Sequence, residues 1–208
     1  MKRLILASSS PRRYDLLLST GLPFEVARPD IDETPYIGEA SDVYVLRLSR
    51  EKAFSIASNL ADRDSLILSA DTTVVFNDRI LGKPETPDDA IATLQQLRER
   101  THLVHTGITI LDVASGDHIT RLTTSHVTMR SLTDDEIVDY VASGDPMGKA
   151  GSYAIQNTAF HPVDHLNGCF TNVVGLPLCT TCDVLAAYGV TVPHPIQCSP
   201  ANLPCQFH

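Results

Sequence analysis

Residues Ser65–Phe76 read SLILSADTTVVF. A run this rich in Leu, Ile and Val predicts a long buried strand with one polar interruption, Asp71-Thr72-Thr73. Asn77-Asp78 is a turn signal, after which residues 79–81 return as a second strand. Upstream, residues 3–7 predict a short buried strand. It leads through Ser8-Ser9-Ser10 and Pro11 into a short helix over 13–19 that stops at Gly21. Ser41 is expected to cap a longer helix to about Leu60, with Val45, Leu46, Leu48, Ala53, Ile56, Ala57 and Leu60 as its apolar face. Downstream, Thr86-Pro87-Asp88-Asp89 starts a helix to about Glu99. Residues 103–113 and 118–129 predict an antiparallel hairpin across Ser115-Gly116-Asp117. Thr133 with Glu136 predicts a capping box and a helix to about Ala142. Residues 148–156 read as glycine-rich and then β-like, 157–168 as a loop, and 170–174 as a strand. Pro177 opens a last helix to about Tyr188. Strands, hairpins and helices in this mixture imply an α/β or α+β protein with a mixed sheet.

Composition bounds the function. The 208 residues carry a net charge of −9, from 16 Lys and Arg against 25 Asp and Glu. That length suits one large domain or two small lobes. The 43% apolar content excludes a largely disordered chain. The acidic balance argues against a broad nucleic-acid surface. No apolar run approaches the ~20 residues of a membrane span. The stretch 4–7 is too short for a secretory core of about 7–15 residues. Five cysteines, odd in number and late in the chain, argue for a reducing cytoplasm over a secreted disulfide framework. Residues 191–208 form a Pro- and Cys-containing tail without apolar periodicity, expected to be extended or mobile beyond a single 1–190 domain.

Four places carry chemistry. Ser8 to Arg13 lies between a strand and a helix, where free N–H groups and the helix dipole suit a phosphate. Arg12 and Arg13 oppose that dipole by a few tenths to about 1 kcal/mol each, so an anion between them is the natural complement. Two solvated arginines after a serine cap are the alternative. Asp71, a carboxylate in an apolar strand, is a candidate metal ligand or general base, or a strand-end aspartate held by backbone N–H groups. Lys52 and Lys83 could meet phosphate as point charges, and Glu33 lies in an acidic stretch able to hold Mg²⁺. In Gly148-Lys149-Ala150-Gly151-Ser152-Tyr153-Ala154-Ile155-Gln156 the glycines allow close approach, and Gln156 is expected to close an apolar strand as a buried amide. It could read a nucleobase edge or be structural. Cys179-Thr180-Thr181-Cys182 is expected to be buried thiols, with the tail cysteines apart from it, and not a zinc site.

LASSSPRR at 6–13, REKA at 50–53, SADTTV at 69–74, LGKP at 81–84, HTGI at 105–108, DPMGKAGSYAIQ at 145–156 and VVGLPL at 173–178 occur in one order. Together they resemble the Maf family of nucleoside triphosphate pyrophosphatases over about residues 3–188. The resemblance implies an α/β fold with a long, twisted mixed sheet and two lobes around a cleft, related to the inosine-triphosphate pyrophosphatase fold. It implies a homodimer, a divalent metal (Mg or Mn), and hydrolysis of a nucleoside triphosphate to the monophosphate and pyrophosphate. By the same resemblance, Ser8, Arg12 and Arg13 bind phosphate, Lys52 and Lys83 face it, Asp71 accepts a proton, and Glu33 with Asp71 serves the metal. Arg12, Thr72 and Gln156 match the specificity positions of the branch acting on dTTP and UTP. Ser69, where that branch commonly has glycine, and the segment 157–167 depart from its pattern. A non-catalytic nucleotide-binding regulator of cell division is the alternative the family offers.

Overall fold

The computed structural model describes residues 2–193 and 198–199. Among these, seven strands form one sheet. They are β1 (Arg3–Ala7), β2 (Glu25–Ala27), β3 (Ser65–Phe76), β4 (Arg79–Leu81), β5 (Thr101–Asp112), β6 (His118–Met129) and β7 (Val163–Asn167). The order is β2-β1-β3-β5-β6-β7, with β4 folded back on β3. β1 is parallel to β2 and β3; every other pairing is antiparallel. Six helices accompany them: α1 (Pro11–Leu18), α2 (Ser41–Asn59), α3 (Pro87–Leu97), α4 (Asp134–Ala142), α5 (Phe170–Val174) and α6 (Leu178–Ala187).

β3 shows why this sheet makes a cleft. Side chains alternate across a strand. Leu66, Leu68 and Ala70 enter one core with Leu6, Ile108, Ile110 and Leu185. Further along the same face, Val74 and Phe76 enter a second core with Leu94, Val104, Ile137 and Tyr153. Thr72 falls between the two. On the opposite face Ile67 packs with Ala53 and Ile56 of α2. The polar interruption is thus the seam between two cores strung on the same long strands.

Most elements follow local signals. Ser10 caps α1 with Pro11 in its first turn, and Thr86 and Thr133 each complete a capping box. At α2 the cap is Ala40, without a side-chain bond, and Ser41 is already helical. The start of α2 is fixed instead by Arg47, which reaches back to Glu39 at 2.6 Å.

The segment 148–175 departs from expectation throughout. Residues 150–152 form a 3₁₀ turn, not a strand, because Gly148, Gly151 and Ser152 take φ of +73°, +70° and +61°. The expected loop contains β7, whose Val163 and Leu166 are buried against β6. The expected strand 170–174 is helix α5, closed by Gly175 at φ +127°. Its Asn172 amide donates to Val104 O at 3.1 Å and Ser125 Oγ at 2.9 Å, which fixes the turn inside the core. The short β2 gave no sequence signal. The cysteines also depart from expectation. Cys198 is 2% exposed in the core beside α6 and forms a disulfide with Cys179, so Cys179 is not a thiol and this tail cysteine is not apart from the 179–182 segment. The rest of the tail expectation lies outside the described residues. Among the described residues no helix is long and apolar enough to cross a membrane.

Candidate active site

A cleft of about 610 Å³ opens along the seam. One wall is the β1–α1 turn, Ser8 to Arg13. The floor is Asp71 to Val74, and the far wall holds Gly82, Lys83, Gly148 to Ala150 and Val173 to Gly175. Ser8, Arg12, Arg13, Glu33, Lys52, Asp71, Thr72 and Lys83 all line it.

At the floor, Lys52 on α2 joins two carboxylates: its Nζ lies 2.6 Å from Asp71 Oδ1 and 2.7 Å from Glu33 Oε1. Lys52 and Asp71 are buried, while Glu33 stays exposed towards the cleft. Burial pushes the Asp71 carboxyl above its ordinary range; Lys52 and Arg13 oppose this and Glu33 adds to it. For Glu33 burial also works against the charge, but the hydrogen bond and charge of Lys52, with Lys83 and Arg13, hold its carboxyl below the usual value. Two nearby carboxylates are thereby set apart.

The wall cations divide as well. Arg13 is tied in, donating from Nε to Gly175 O at 2.8 Å and from its terminal nitrogen to Thr72 Oγ1 at 3.0 Å. Thr72 in turn meets Thr106 Oγ1 at 2.9 Å. Arg12 makes no side-chain hydrogen bond among the described residues, and partial burial lowers its pKa. Ser8 Oγ accepts from Ser10 N at 3.1 Å, and Ser10 Oγ accepts from Arg13 N at a long 3.5 Å. Helix α1 thus presents its first-turn amides, an unengaged guanidinium and two hydroxyls to one space, the composition of an anion site.

Gln156 does not line the cleft. It is exposed in the turn after Ile155, which does. The expected strand is broken by the left-handed residues at 148, 151 and 152, so the amide is neither buried nor strand-borne. Sequence reasoning also missed three lining residues. Lys149, which stands between two glycines in the sequence, lines the cleft as a further cation. Tyr44 donates to Glu33 O at 2.9 Å and so anchors the Glu33 loop to α2, without a local signal. Tyr153 is buried with its hydroxyl 2.7 Å from His102 Nε2.

Among the described residues no group of three or more His, Cys, Asp and Glu side chains converges. Asp71 and Glu33, meeting on one ammonium, are the pair able to hold a divalent cation. Mg²⁺ characteristically uses one or two carboxylates and takes its other oxygens from water and substrate phosphates, so this donor set fits.

The protein family described as Maf-like protein matches residues 3–188. A dTTP/UTP pyrophosphatase of Pelotomaculum thermopropionicum is 44% identical over 192 residues, covering 92% of this chain and 100% of its own. One of Myxococcus xanthus is 43% identical over 190 residues, 91% of this chain and 94% of its own. Among solved structures, the Staphylococcus aureus Ham1 protein has a TM-score of 0.43 and 13% identity, over 62% of this chain and 72% of that one. A match running from β1 to the end of α6, and relatives sharing two residues in five along nearly their whole length, place the chain in the Maf-like family.

Proposed function

We propose that this protein hydrolyses a nucleoside triphosphate between the α and β phosphates, releasing the monophosphate and pyrophosphate, with dTTP and UTP as substrates. The observation that carries this reading is Lys52 holding Asp71 and Glu33 together at the floor of a cation-walled cleft. The substrate comes from the relatives' names.

The chain's own residues supply most of the mechanism. The α1 amides, Arg12, Arg13 and Lys83 bind the polyphosphate and offset charge on the departing pyrophosphate. Asp71, its pKa raised by burial, takes a proton from the water that attacks the α phosphorus as the Pα–O–Pβ bridge breaks. Lys52 keeps that carboxylate ionised and oriented. A Mg²⁺ or Mn²⁺ held by Asp71 and Glu33 would supply charge neutralisation on phosphate oxygens and a more acidic water. We infer a homodimer, as the family resemblance implies, and a cytoplasmic location from the odd number and late position of the cysteines.

Specificity is assigned to Arg12, Thr72 and Gln156. Thymine and uracil show a ring N–H beside a carbonyl, and a glutamine amide offers the complementary acceptor and donor. Cytosine requires the amide to flip, and where a neighbour such as Thr72 fixes the amide on the bound base, the flip leaves a buried group unpaired at about 1–3 kcal/mol. Because Gln156 is exposed here, the 148–156 turn must close on the base for this contact. Pyrophosphate release from dTTP, UTP, CTP and GTP with Mg²⁺ or Mn²⁺ is the test. We expect kcat/KM for dTTP and UTP about ten- to a hundredfold above CTP. Equal values for UTP and CTP remove Gln156 from base reading. No release from any nucleotide leaves the non-catalytic nucleotide-binding regulator as the better reading.

A further inference from the structure

Lys149 lines the same cleft as Arg12 and Arg13. Its loop is stitched to the loop of Lys83: Gly151 N donates to Gly82 O at 3.2 Å. The loops that carry these two lysines are therefore joined, and both lysines line the same cleft as Arg12 and Arg13. Lys149 is also tethered. Its Nζ donates to Asp145 Oδ1 at 3.0 Å and to the Asp145 carbonyl. The same carboxylate accepts from Tyr140 Oη at 2.6 Å and Asn157 Nδ2 at 3.1 Å, both on Oδ2. Asp145 is thus fixed by α4 and by the turn beyond Gln156, with its other oxygen given to Lys149. Its negative charge also acts on Arg12.

Resting on the pyrophosphatase reading, we propose that Lys149 is a further phosphate-binding residue, kept at the cleft wall by Asp145 and exchanged onto the polyphosphate when the nucleotide enters. A lysine ammonium has three donors. Giving up one carboxylate for phosphate oxygens keeps it paired in both states. Asp145 never touches substrate. It is a positioning residue that prevents Lys149 from leaving the cleft, and as a resident anion it weakens premature or excessive binding of phosphates. Its remaining bonds to Tyr140 and Asn157 hold the 145–157 turn when Lys149 departs.

The test is calorimetric titration of the whole protein with a non-hydrolysable α,β-imido-UTP and, separately, with inorganic tripolyphosphate. Steady-state kinetics on UTP accompany both. Lys149→Ala should weaken either ligand about tenfold, the order of one charge-assisted hydrogen bond, with KM raised more than kcat is lowered. Lys149→Arg should restore most of the affinity. Asp145→Asn removes the tether's charge and should tighten both ligands several-fold. In the double variant the part of that gain that runs through Lys149 should vanish, leaving only the smaller gain from removing a resident anion near Arg12. Lys149→Ala within twofold of the native protein overturns the proposal. So does a folded Asp145→Asn that weakens binding as Lys149→Ala does, since Asp145 is then only a brace for the turn. Tripolyphosphate binding that depends on Lys149 while the native protein releases no pyrophosphate sinks the pyrophosphatase reading and leaves the phosphate site standing.

Discussion

The two walls of the cleft are made in different ways. The near wall and floor sit on regular elements: the end of β1, the first turn of α1, the middle of β3 and one face of α2. Apart from Ser8 and Glu33, which lie on loops, each functional side chain there is aimed by a strand or helix of local origin, and Lys52 is fixed to Asp71 at 2.6 Å. The far wall draws on the Gly82-Lys83 loop, the 148–150 turn and the end of the short helix α5, held by glycine conformations and by bonds from outside each piece. Tyr140 reaches Asp145, Gly151 reaches Gly82, and Asn172 reaches Val104. One wall is suited to chemistry that tolerates little displacement. The other is suited to adjusting around the variable part of a ligand.

The contrast breaks most visibly at Asp71. Asp71→Asn keeps the shape of the floor and removes the proton acceptor, so turnover of UTP should fall about 10²–10⁴-fold while binding of a non-hydrolysable triphosphate persists. Because burial raises the Asp71 pKa, the native enzyme should lose activity as pH falls through a value above the ordinary carboxylate range. Near-normal kcat in a folded variant would mean the floor is not the reacting site.

The same contrast explains what could be read from the chain. The buried strand with Asp71 at its centre, the Ser-Pro-Arg-Arg turn and the capping boxes are short-range patterns, and each stands in the structure where the pattern put it. Eight of the nine expected site residues meet in one cleft, and Gln156 is the exception. Phe170–Val174 has the composition of a strand yet is helical, because Asn172 must satisfy Val104 O and Ser125 Oγ, contacts that no local window contains. Lys149 is legible as a lysine but not as a cleft residue until Gly82 and Asp145 are seen beside it. The Cys179–Cys198 link depends on a tail that shows no periodicity.

Two glycines sharpen the comparison. Gly107 pairs with Asp71 across the sheet, and a Cβ there would sit 2.5 Å from the Val45 carbonyl of α2. Backbone cannot yield, so Gly107→Ala should displace α2 and cost about 3 kcal/mol, with lowered kcat through Lys52. Gly151, behind the far wall, would bring its Cβ 2.9 and 3.0 Å from the two Val74 methyls, a buried branched side chain with little room to turn, on top of the strain of φ +70°. Gly151→Ala should cost about 2 kcal/mol. Denaturant unfolding of both variants checks the order; the reverse order would make the far wall the rigid one.

His102 joins the two regions, lying on β5 with its Nε2 against Tyr153 and its Nδ1 buried without a hydrogen-bond partner among the described residues. Burial lowers its pKa to about 4. The neutral ring is therefore favoured in the folded state. Its contribution is complete above about pH 6.5, the unfolded value, and is lost as pH falls from there towards 4. The loss should be at most on the order of 3 kcal/mol. His102→Gln should flatten that part of the stability profile between pH 7.5 and 4.5. An unchanged slope would mean that the Tyr153 contact opens before the ring charges.

The smallest expected difference lies in the helix caps. Thr133 caps α4 in a full reciprocal box, with Glu136 N at 3.2 Å from its hydroxyl and Thr133 N at 2.8 Å from the Glu136 carboxylate. Thr133→Ala should cost about 1 kcal/mol. Ser10 caps α1 through a bond stretched to 3.5 Å, and its neighbours in the first turn are arginines where acids would suit the dipole. A helix start that leaves its donors weakly satisfied is poorly built for stability and well built for an anion. Ser10→Ala should therefore cost only a few tenths of a kcal/mol in the ligand-free protein, below the usual range for a lost cap. Adding saturating tripolyphosphate should widen the gap between Ser10→Ala and the native protein, because only the native hydroxyl can join the anion's shell. It should leave the Thr133→Ala difference unchanged. Equal costs at the two caps, with and without the anion, would make α1 an ordinary helix and remove its amides from the phosphate grip.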